Sequence, residues 1–413
     1  MTVDANLMGL TSVENAASNA AVVVSNVTAG ATLAASGSSA ATTLTVKGAG
    51  LTGTEDTATI ALTGNTGAVT YQSDSAQDIE KAAITVTGAN TSALTIQDSG
   101  ANAGVTSVTV SGSGSYDMET GGNIDDLLTT LDASANTGGV TFTSTVTTAT
   151  ALTGGAGNDV IDGGEGDDVI KGGAGDDTLA MGSAGLDHID GGAGNDVVTV
   201  TGLTEDDSIV GGDGVDTLVI SAAIAYDDEA TPTPIDDAAN ISGFEVLRGT
   251  AALSQDMAAL SGIVALQSTG GVLTATEASD IADFFAFGLT DVAGAGLDLT
   301  LATDGAADSL NIHVGLDAAQ TNATGVTVDA IEIETALINS VGKDGNTITD
   351  FEADALTSLS VIGSKTLSVT LNDSAAVATI PLTKVDASAF TGDSLTITAV
   401  EADSGVTVTT GSE

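Results

Sequence analysis

The chain has 413 residues, of which 7 are Lys or Arg and 56 are Asp or Glu, so its formal net charge is −49. This balance argues against a nucleic-acid partner, because no basic surface is available to neutralise phosphates. The lack of cysteine excludes disulfides and thiolate metal sites. Hydrophobic residues make up 42% of the chain but aromatic residues only 2%, which predicts a thin core of stacked strands.

The first 150 residues are predicted to form mostly short strands. Residues 1–40 are rich in Ala, Ser, Val and Asn, and we expect a short helix over residues 7–21. Residues 41–150 alternate β-branched runs such as TLTVKG and ATIALTG with Gly, Asn, Asp and Ser, which predicts an all-β sandwich or solenoid tile. A second short helix is expected over residues 121–131.

Residues 151–220 hold seven nine-residue units with a common internal pattern. The units begin at Gly154, Gly163, Gly172, Gly182, Gly191, Gly202 and Gly211. Only Met181 and the pair Val200 and Thr201 lie between units. Position eight is always aliphatic, and position six is Asp in every unit: Asp159, Asp168, Asp177, Asp187, Asp196, Asp207 and Asp216.

The pattern has a direct physical interpretation. Glycines at positions one, two and four permit a tight turn, and the next three residues can form a short strand with one inward aliphatic side chain. One unit cannot bury that side chain alone, but stacked units can, and stacking places the aspartates in rows. Aligned carboxylates repel one another, so we expect hard divalent cations between them. Ca²⁺ fits better than Mg²⁺, which demands stricter geometry.

The rest of the chain is predicted to return to strands after a loop. Residues 221–306 combine an acidic loop with a diverged β tile, in which helical turns are expected over residues 255–260 and 277–287. The loop acids are interpreted as a solvated segment or, alternatively, a further Ca²⁺ site: Asp227, Asp228, Glu229, Asp236 and Asp237.

Residues 307–413 are predicted to repeat the tile of residues 55–150. Ile79-Glu80 aligns with Ile331-Glu332, VTVSGS (108–113) with LSVIGS (359–364), and LDASANTG (131–138) with VDASAFTG (385–392). The alignment also places Thr410-Gly411 opposite Thr153-Gly154, where the nonapeptides begin. We therefore expect the 413 residues to be a fragment of a longer protein.

The seven units resemble the RTX nonapeptide, GGxGxDxUx, a calcium-binding repeat. The resemblance implies a parallel β-roll in which two nonapeptides form one coil and Ca²⁺ ions lie between turns. The fourth unit departs from the pattern at Ser183 and Leu186, and the sixth at Leu203 and Glu205. The predicted metal set is the seven aspartates together with turn residues of the regular units: Gly155, Gly157, Asn158, Gly164, Gly166, Asp167, Gly173, Gly175, Asp176, Gly192, Gly194, Asn195, Gly212 and Gly214.

The roll within Thr/Ala/Val-rich tiles is similar to the RTX-type surface-layer proteins of Gram-negative bacteria. That resemblance implies export by type I secretion and an extracellular, calcium-ordered two-dimensional lattice of identical subunits. It also implies attachment to lipopolysaccharide or a cell-surface glycan through a region outside this fragment.

Other functional classes remain open at this point. The alternatives are a calcium-stiffened RTX adhesin and the non-catalytic part of a secreted RTX lipase or protease. We expect no enzyme, because the two histidines, His188 and His313, lie in predicted strands and HExxH, GxSxG and P-loop motifs do not occur. No run is long and apolar enough to span a membrane.

Overall fold

The computed structural model describes most of the chain, in ranges separated by short gaps. The described residues are 2–4, 10–16, 19–47, 51, 55–74, 79–91, 93–97, 104–118, 127–203, 206–224, 240–257, 260–269, 271–278, 283–286, 292–293, 296–301, 307–315, 323–342, 345–372, 380–399 and 407–410. They fall into two compact units, Met1–Asp216 and Thr217–Glu413. The acidic loop predicted around Asp227 to Asp237, and most of the helix predicted over residues 121–131, lie outside the described residues.

Both units are built from short strands. The strands of the first unit are β1 Thr2–Asp4, β2 Ser12–Ala16, β3 Val22–Val27, β4 Thr32–Ser36, β5 Thr42–Val46, β6 Thr57–Thr63, β7 Val69–Ser73, β8 Lys81–Thr87, β9 Leu94–Gln97, β10 Ser107–Gly112, β11 Tyr116–Asp117, β12 Thr130–Asn136, β13 Val140–Thr143, β14 Ala151–Thr153, β15 Val160–Asp162, β16 Val169–Ala174, β17 Thr178–Ala180, β18 His188–Ala193, β19 Val197–Val200 and β20 Ser208–Asp213.

The second unit continues the numbering. Its strands are β21 Thr217–Ile220, β22 Ile241–Ser242, β23 Val246–Gly249, β24 Leu253–Asp256, β25 Ala265–Ser268, β26 Val272–Ala278, β27 Asp283–Ala286, β28 Val292–Ala293, β29 Gly296–Leu301, β30 Ser309–Val314, β31 Ala323–Thr324, β32 Val326–Asp329, β33 Thr335–Ser340, β34 Asn346–Glu352, β35 Ser358–Gly363, β36 Leu367–Asn372, β37 Lys384–Phe390, β38 Leu395–Ala399 and β39 Thr407–Thr410.

The first unit is a parallel β-solenoid. One sheet runs through the even-numbered strands in the order β2-β4-β6-β8-β10-β12-β14-β16-β18-β20. The odd-numbered strands form two further sheets, β1-β3-β5-β7-β9 and β11-β13-β15-β17-β19. The chain therefore alternates between two walls, and each coil adds one strand to each wall. Alternate residues point inward, as with Ala58, Ile60 and Leu62 of β6, which are at most 1% exposed.

The second unit is also a parallel β-solenoid. One wall has the order β21-β23-β25-β27-β30-β33-β35-β37-β39 and another has the order β24-β26-β29-β32-β34-β36-β38, with β28 and β31 as a small additional pair. Every pairing between described strands of this unit is parallel, for example β33 with β35 and β34 with β36. The tiles are therefore solenoids, and the sandwich alternative is wrong.

Two of the predicted helices are wrong. Ser12–Ala16 lies within the helix expected over residues 7–21, but it forms β2 and pairs in parallel with β4. The helical turn expected over residues 255–260 is present in part, since residues 255–256 belong to β24 but Leu260 donates its N–H to the carbonyl oxygen of Met257 at 3.1 Å. Within the helical turn expected over residues 277–287, residues 277–278 and 283–286 belong to β26 and β27. Local helical propensity is a weak preference, and stacking on a preceding coil overrides it. The described residues contain no helix with the length and apolarity needed to traverse a bilayer.

The two units share a local arrangement around a glutamate. The Glu80 side chain accepts the backbone N–H of Asp56 at 2.9 Å, and the Glu334 side chain accepts the N–H of Asp308 at 2.7 Å. Each glutamate follows a buried isoleucine, Ile79 or Ile333. The equivalent of Ile79-Glu80 is therefore Ile333-Glu334, two residues beyond the pair aligned from the sequence, since Ile331 is 37% exposed.

A second shared arrangement lies in the DASA segments. Asp132 accepts both the backbone N–H and the hydroxyl of Ser134, at 3.0 and 2.6 Å. Asp386 accepts the same two donors from Ser388, at 3.1 and 2.7 Å. The strands that carry these turns, β12 and β37, each have seven residues.

Candidate metal centre

The seven nonapeptides fold as successive turns and strands of the first solenoid, and the last of them ends in β21. Their position-eight side chains are at most 2% exposed and supply the core: Ile161, Ile170, Leu179, Ile189, Val198, Ile209 and Leu218. Within the first unit these residues stack in parallel register, Ile161 beside Leu179 and Ile170 beside Ile189. The nonapeptide pattern therefore builds one half-coil per unit.

Extra residues between nonapeptides do not disturb this register. Val160 pairs with Thr178, 18 residues later, whereas Thr178 pairs with Val197 across Met181, an offset of 19. His188 pairs with Ser208 across Val200 and Thr201, an offset of 20. Met181 and Thr201 are accommodated at corners, and Val200 lengthens β19 by one residue relative to β17.

The position-six aspartates form two rows at opposite corners of the coil. Asp159, Asp177, Asp196 and Asp216 lie on what we call the first edge, between an even-numbered strand and the odd-numbered strand that follows. Asp168, Asp187 and Asp207 lie on the second edge, between an odd-numbered strand and the next even-numbered strand. All seven are at most 1% exposed. The aspartates that the sequence predicted as metal ligands are therefore buried inside the turns.

One oxygen of each carboxylate joins neighbouring coils. On the first edge, Asp159 donates its backbone N–H to Oδ1 of Asp177 at 2.7 Å, and Asp177 donates its own to Oδ1 of Asp196 at 2.8 Å. On the second edge, Asp168 donates to Oδ1 of Asp187 at 2.9 Å, and Asp187 to Oδ1 of Asp207 at 2.6 Å. Each aspartate thus fixes the turn of the coil before it.

The second carboxylate oxygen of four aspartates has no hydrogen-bond donor. Oδ2 of Asp168, Asp177, Asp187 and Asp196 is buried and accepts no hydrogen bond within the described structure. A Cβ atom built on Gly172 would lie 2.3 Å from Asp177 Oδ2 and 2.4 Å from the carbonyl oxygen of Gly191. A carboxylate and a carbonyl therefore face one small volume, and neither supplies a proton.

This geometry fits a bound cation. The same arrangement recurs at Gly191, where an added Cβ would lie 2.6 Å from Asp196 Oδ2 and 2.2 Å from the Gly211 carbonyl oxygen. Buried carboxylate and carbonyl oxygens are the donors that Ca²⁺ prefers. Position one requires glycine because a side chain would fill this volume.

Burial makes the charged form of these carboxylates unfavourable. Loss of hydration is the main cause that raises the pKa of Asp177 to about 7, with neighbouring carboxylates of Asp159 and Asp196 adding to the shift. The same main cause raises the pKa of Asp187 to about 6 and also raises the pKa values of Asp159, Asp168 and Asp196. A dication at Oδ2 would favour the ionised form instead.

The glycines at positions two and four let successive turns approach closely. Gly173 and Gly175 have φ values of 113° and 122°, and Gly192 and Gly194 have values of 106° and 141°. The left-handed conformation is shared by Gly164, Gly166, Gly212 and Gly214. In the first nonapeptide, Gly155 and Gly157 do not adopt it. A Cβ on Gly173 would lie 2.2 Å from the Gly155 carbonyl oxygen, so the backbones of adjacent coils are in contact there.

Position-five side chains lie outside the buried carboxylate rows. Their hydrogen bonds link successive coils. Asp176 donates its backbone N–H to Oδ1 of Asn158 at 3.0 Å, and Asn195 donates its backbone N–H to Oδ1 of Asp176 at 2.8 Å. Leu186 likewise donates to Oδ1 of Asp167 at 3.0 Å. These exposed groups join neighbouring coils on the surface.

The two irregular nonapeptides keep their aspartates in the buried rows. Asp187 of the fourth unit and Asp207 of the sixth are both buried and both accept a backbone N–H from the preceding coil. Leu186 is 45% exposed at position five. Thr204 and Glu205 lie outside the described residues.

The described residues contain no group of three or more His, Cys, Asp or Glu side chains arranged to hold a metal. The candidate sites here are of another kind. Each offers one buried carboxylate per turn, and at Gly172 and Gly191 a backbone carbonyl oxygen lies beside it.

Sequence reasoning missed an asparagine row on the same first edge. Asn65, Asn90 and Asn136 are at most 1% exposed and occupy the turns that precede the aspartate row. Their signal in the sequence is the recurring Asn-Thr pair, in NTG, NTS and NTG. From the sequence alone, these segments are interpreted only as turns between strands.

The fold and the buried carboxylate rows together define a parallel β-solenoid with a calcium roll. Residues 150–179, 180–200 and 199–219 match the family described as RTX calcium-binding nonapeptide repeat (4 copies). No curated protein matches the chain. The chain therefore contains RTX repeats, which bind Ca²⁺ and are typical of secreted proteins.

Proposed function

We propose that this chain is a non-catalytic subunit of a bacterial surface layer, and that Ca²⁺ couples its folding to its assembly. The observation that carries the calcium part is the buried Oδ2 atoms of Asp177 and Asp196, each of which has no donor and lies near a carbonyl oxygen. The extreme charge supports the assembly part. Five ions in the roll would contribute ten positive charges and reduce the formal charge only from −49 to −39. Close contacts between copies then require further cations between their surfaces.

The proposed mechanism is linkage between folding and metal binding. At low intracellular Ca²⁺ the roll stays unfolded and can be threaded through a type I exporter. Outside the cell, Ca²⁺ binds the folded state and stabilises it, by about 2.7 kcal/mol per site at a hundredfold excess over the dissociation constant. Several sites in two rows make the transition steep. Attachment to lipopolysaccharide or a surface glycan is assigned to a region outside residues 1–413.

Electron microscopy of the purified 413-residue chain tests the proposal. Flat ordered sheets are expected in millimolar Ca²⁺ and dispersed particles in chelator. Mg²⁺ at the same concentration controls for charge screening alone. Isolated particles at every Ca²⁺ concentration would overturn the surface-layer assignment and favour the adhesin.

A further inference from the structure

The first edge of the first solenoid carries amide side chains at three of its earlier turns and carboxylates at its later ones, while the turn between β10 and β11 has neither. Asn65, Asn90 and Asn136 occupy its earlier turns, and the aspartates begin at Asp159. Asn65 donates its backbone N–H to Oδ1 of Asn90 at 3.0 Å. Asp159 makes the same bond to Oδ1 of Asp177. Asn90 and Asp177 therefore play the same part between coils, whereas Oδ1 of Asn136 accepts the N–H groups of Gly138 and Gly139 within its own turn, at 2.9 and 2.8 Å.

The other polar atom of the side chain is Nδ2 in asparagine and Oδ2 in aspartate, and this difference determines whether the turn needs a metal ion. Nδ2 of Asn90 donates to the carbonyl oxygen of Gly88 at 2.7 Å, and Nδ2 of Asn136 donates to that of Gly114 at 3.0 Å. In the roll, Oδ2 of Asp177 stands near a glycine carbonyl and has no proton to give. A neutral amide satisfies the buried carbonyl by itself, whereas a carboxylate needs a cation or a proton.

The second edge changes at the same point along the chain. Its earlier corners hold Ile79, Val105 and Leu128, all at most 2% exposed, so they are held by apolar packing. The next corner is Thr150, which donates both its N–H and its hydroxyl to Oδ1 of Asp168, at 2.8 and 2.7 Å. Among the described residues of the earlier coils, neither edge presents a buried carboxylate.

From this contrast we infer that the asparagine coils, β6 to β13, fold without Ca²⁺ and form the template on which the calcium-dependent coils assemble. The template presents Val140, which donates its N–H to Oδ1 of Asp159 at 2.6 Å. Thr150, which follows the last template strand, donates its N–H to Oδ1 of Asp168. A preformed first coil removes the cost of nucleating the roll, so ordering proceeds from Asp159 towards Asp216. The template role rests on the calcium-linked folding proposed above.

Hydrogen–deuterium exchange of the full 413-residue chain, read by mass spectrometry, tests this inference. In chelator we expect slow exchange in β6 to β10 and fast exchange in β15 to β20, and in Ca²⁺ slow exchange in both. Fast exchange of β6 to β10 in chelator would overturn the inference and leave the calcium dependence of the roll intact. Slow exchange of β15 to β20 in chelator would instead contradict the proposed folding mechanism.

A charge-only substitution tests the chemistry of the row. Asn90→Asp replaces the amide donor by an acceptor facing the Gly88 carbonyl, and we expect exchange in β6 to β9 in chelator to become about tenfold faster or more. The Ca²⁺ midpoint for protection of β15 to β20 should rise severalfold, because the template is weakened. Thr87→Asp is the matched control, since it adds the same charge at an exposed site on β8. Equal behaviour of the two variants, or an unchanged midpoint in Asn90→Asp, would refute the template.

Discussion

Asp159 donates its backbone N–H to Oδ1 of Asp177, 2.7 Å away and one coil later. The aspartate that the sequence marks as a metal ligand is thus also a backbone acceptor. Substitution at such a position removes two contributions at once, one electrostatic and one that holds the turn of the neighbouring coil.

Asp177→Ala is expected to destabilise the roll in Ca²⁺ by about 1–3 kcal/mol or more, because the Asp159 N–H loses its acceptor and the site loses its carboxylate. The measurement is denaturant unfolding at saturating Ca²⁺, with the number of bound ions counted by calorimetry. Asp190→Ala is the control, since it removes the same charge from an exposed position. Equal loss of stability in the two variants would contradict a specific role of Asp177.

The calcium-free chain should be more stable at lower pH. Because the folded pKa values of Asp177 and Asp187, about 7 and 6, lie above the ordinary value of 3.8, the folded roll binds more protons than the unfolded one in this range. Its free energy of unfolding therefore falls as pH rises from about 4 to about 7. Circular dichroism in chelator over this range provides the measurement. In Ca²⁺ the trend should reverse, since protons compete with the metal, and the same trend in both conditions would be inconsistent with this account.

Gly172→Ala should weaken one calcium site without changing any charge. The added Cβ would lie 2.3 Å from Asp177 Oδ2 and 2.4 Å from the Gly191 carbonyl oxygen. We expect a loss of about 1–3 kcal/mol in Ca²⁺, together with a raised Ca²⁺ midpoint. Gly249→Ala is the control because its Cβ would meet only ordinary contacts, the nearest at 3.5 Å. A normal midpoint in Gly172→Ala would count against a cation in this volume.

A separate prediction concerns like charges in the second unit. Asp329 pairs in register with Asp298 on one side and Glu352 on the other. Desolvation first, and then neighbouring carboxylates led by Asp298, raise the pKa of Asp329. Asp329→Asn should therefore stabilise the calcium-free chain at pH 7, by about 0.2–1 kcal/mol, because directly opposed like charges destabilise a sheet.

Thermal unfolding in chelator measures this effect. Asp393→Asn, an exposed acid on the same unit, is the comparison and should leave the midpoint unchanged. A lower melting temperature for Asp329→Asn would show that repulsion in this row is not a destabilising factor.

The roll could be predicted from the sequence because its pattern has one physical solution. The aspartate and the aliphatic residue that Asp177 and Leu179 represent recur at the same positions in all seven nonapeptides. A short stacked half-coil is the structure that buries both. Ser12–Ala16 was misassigned because a lone five-residue segment carries no phase information, and its partner Thr32–Ser36 determines its conformation. Asn90 was missed for a different reason. An asparagine in a turn is ordinary on an exposed loop, and only the stacking of coils reveals that it is buried.

The corners of the roll have a practical consequence for engineering. Each coil keeps its alignment with the next whether it contains 18, 19 or 20 residues, because alignment is set by hydrogen bonds between turns and not by chain length. Thr201 stands at such a corner and is exposed. A peptide tag introduced there would therefore be displayed on the outside while the metal-dependent scaffold keeps its periodicity.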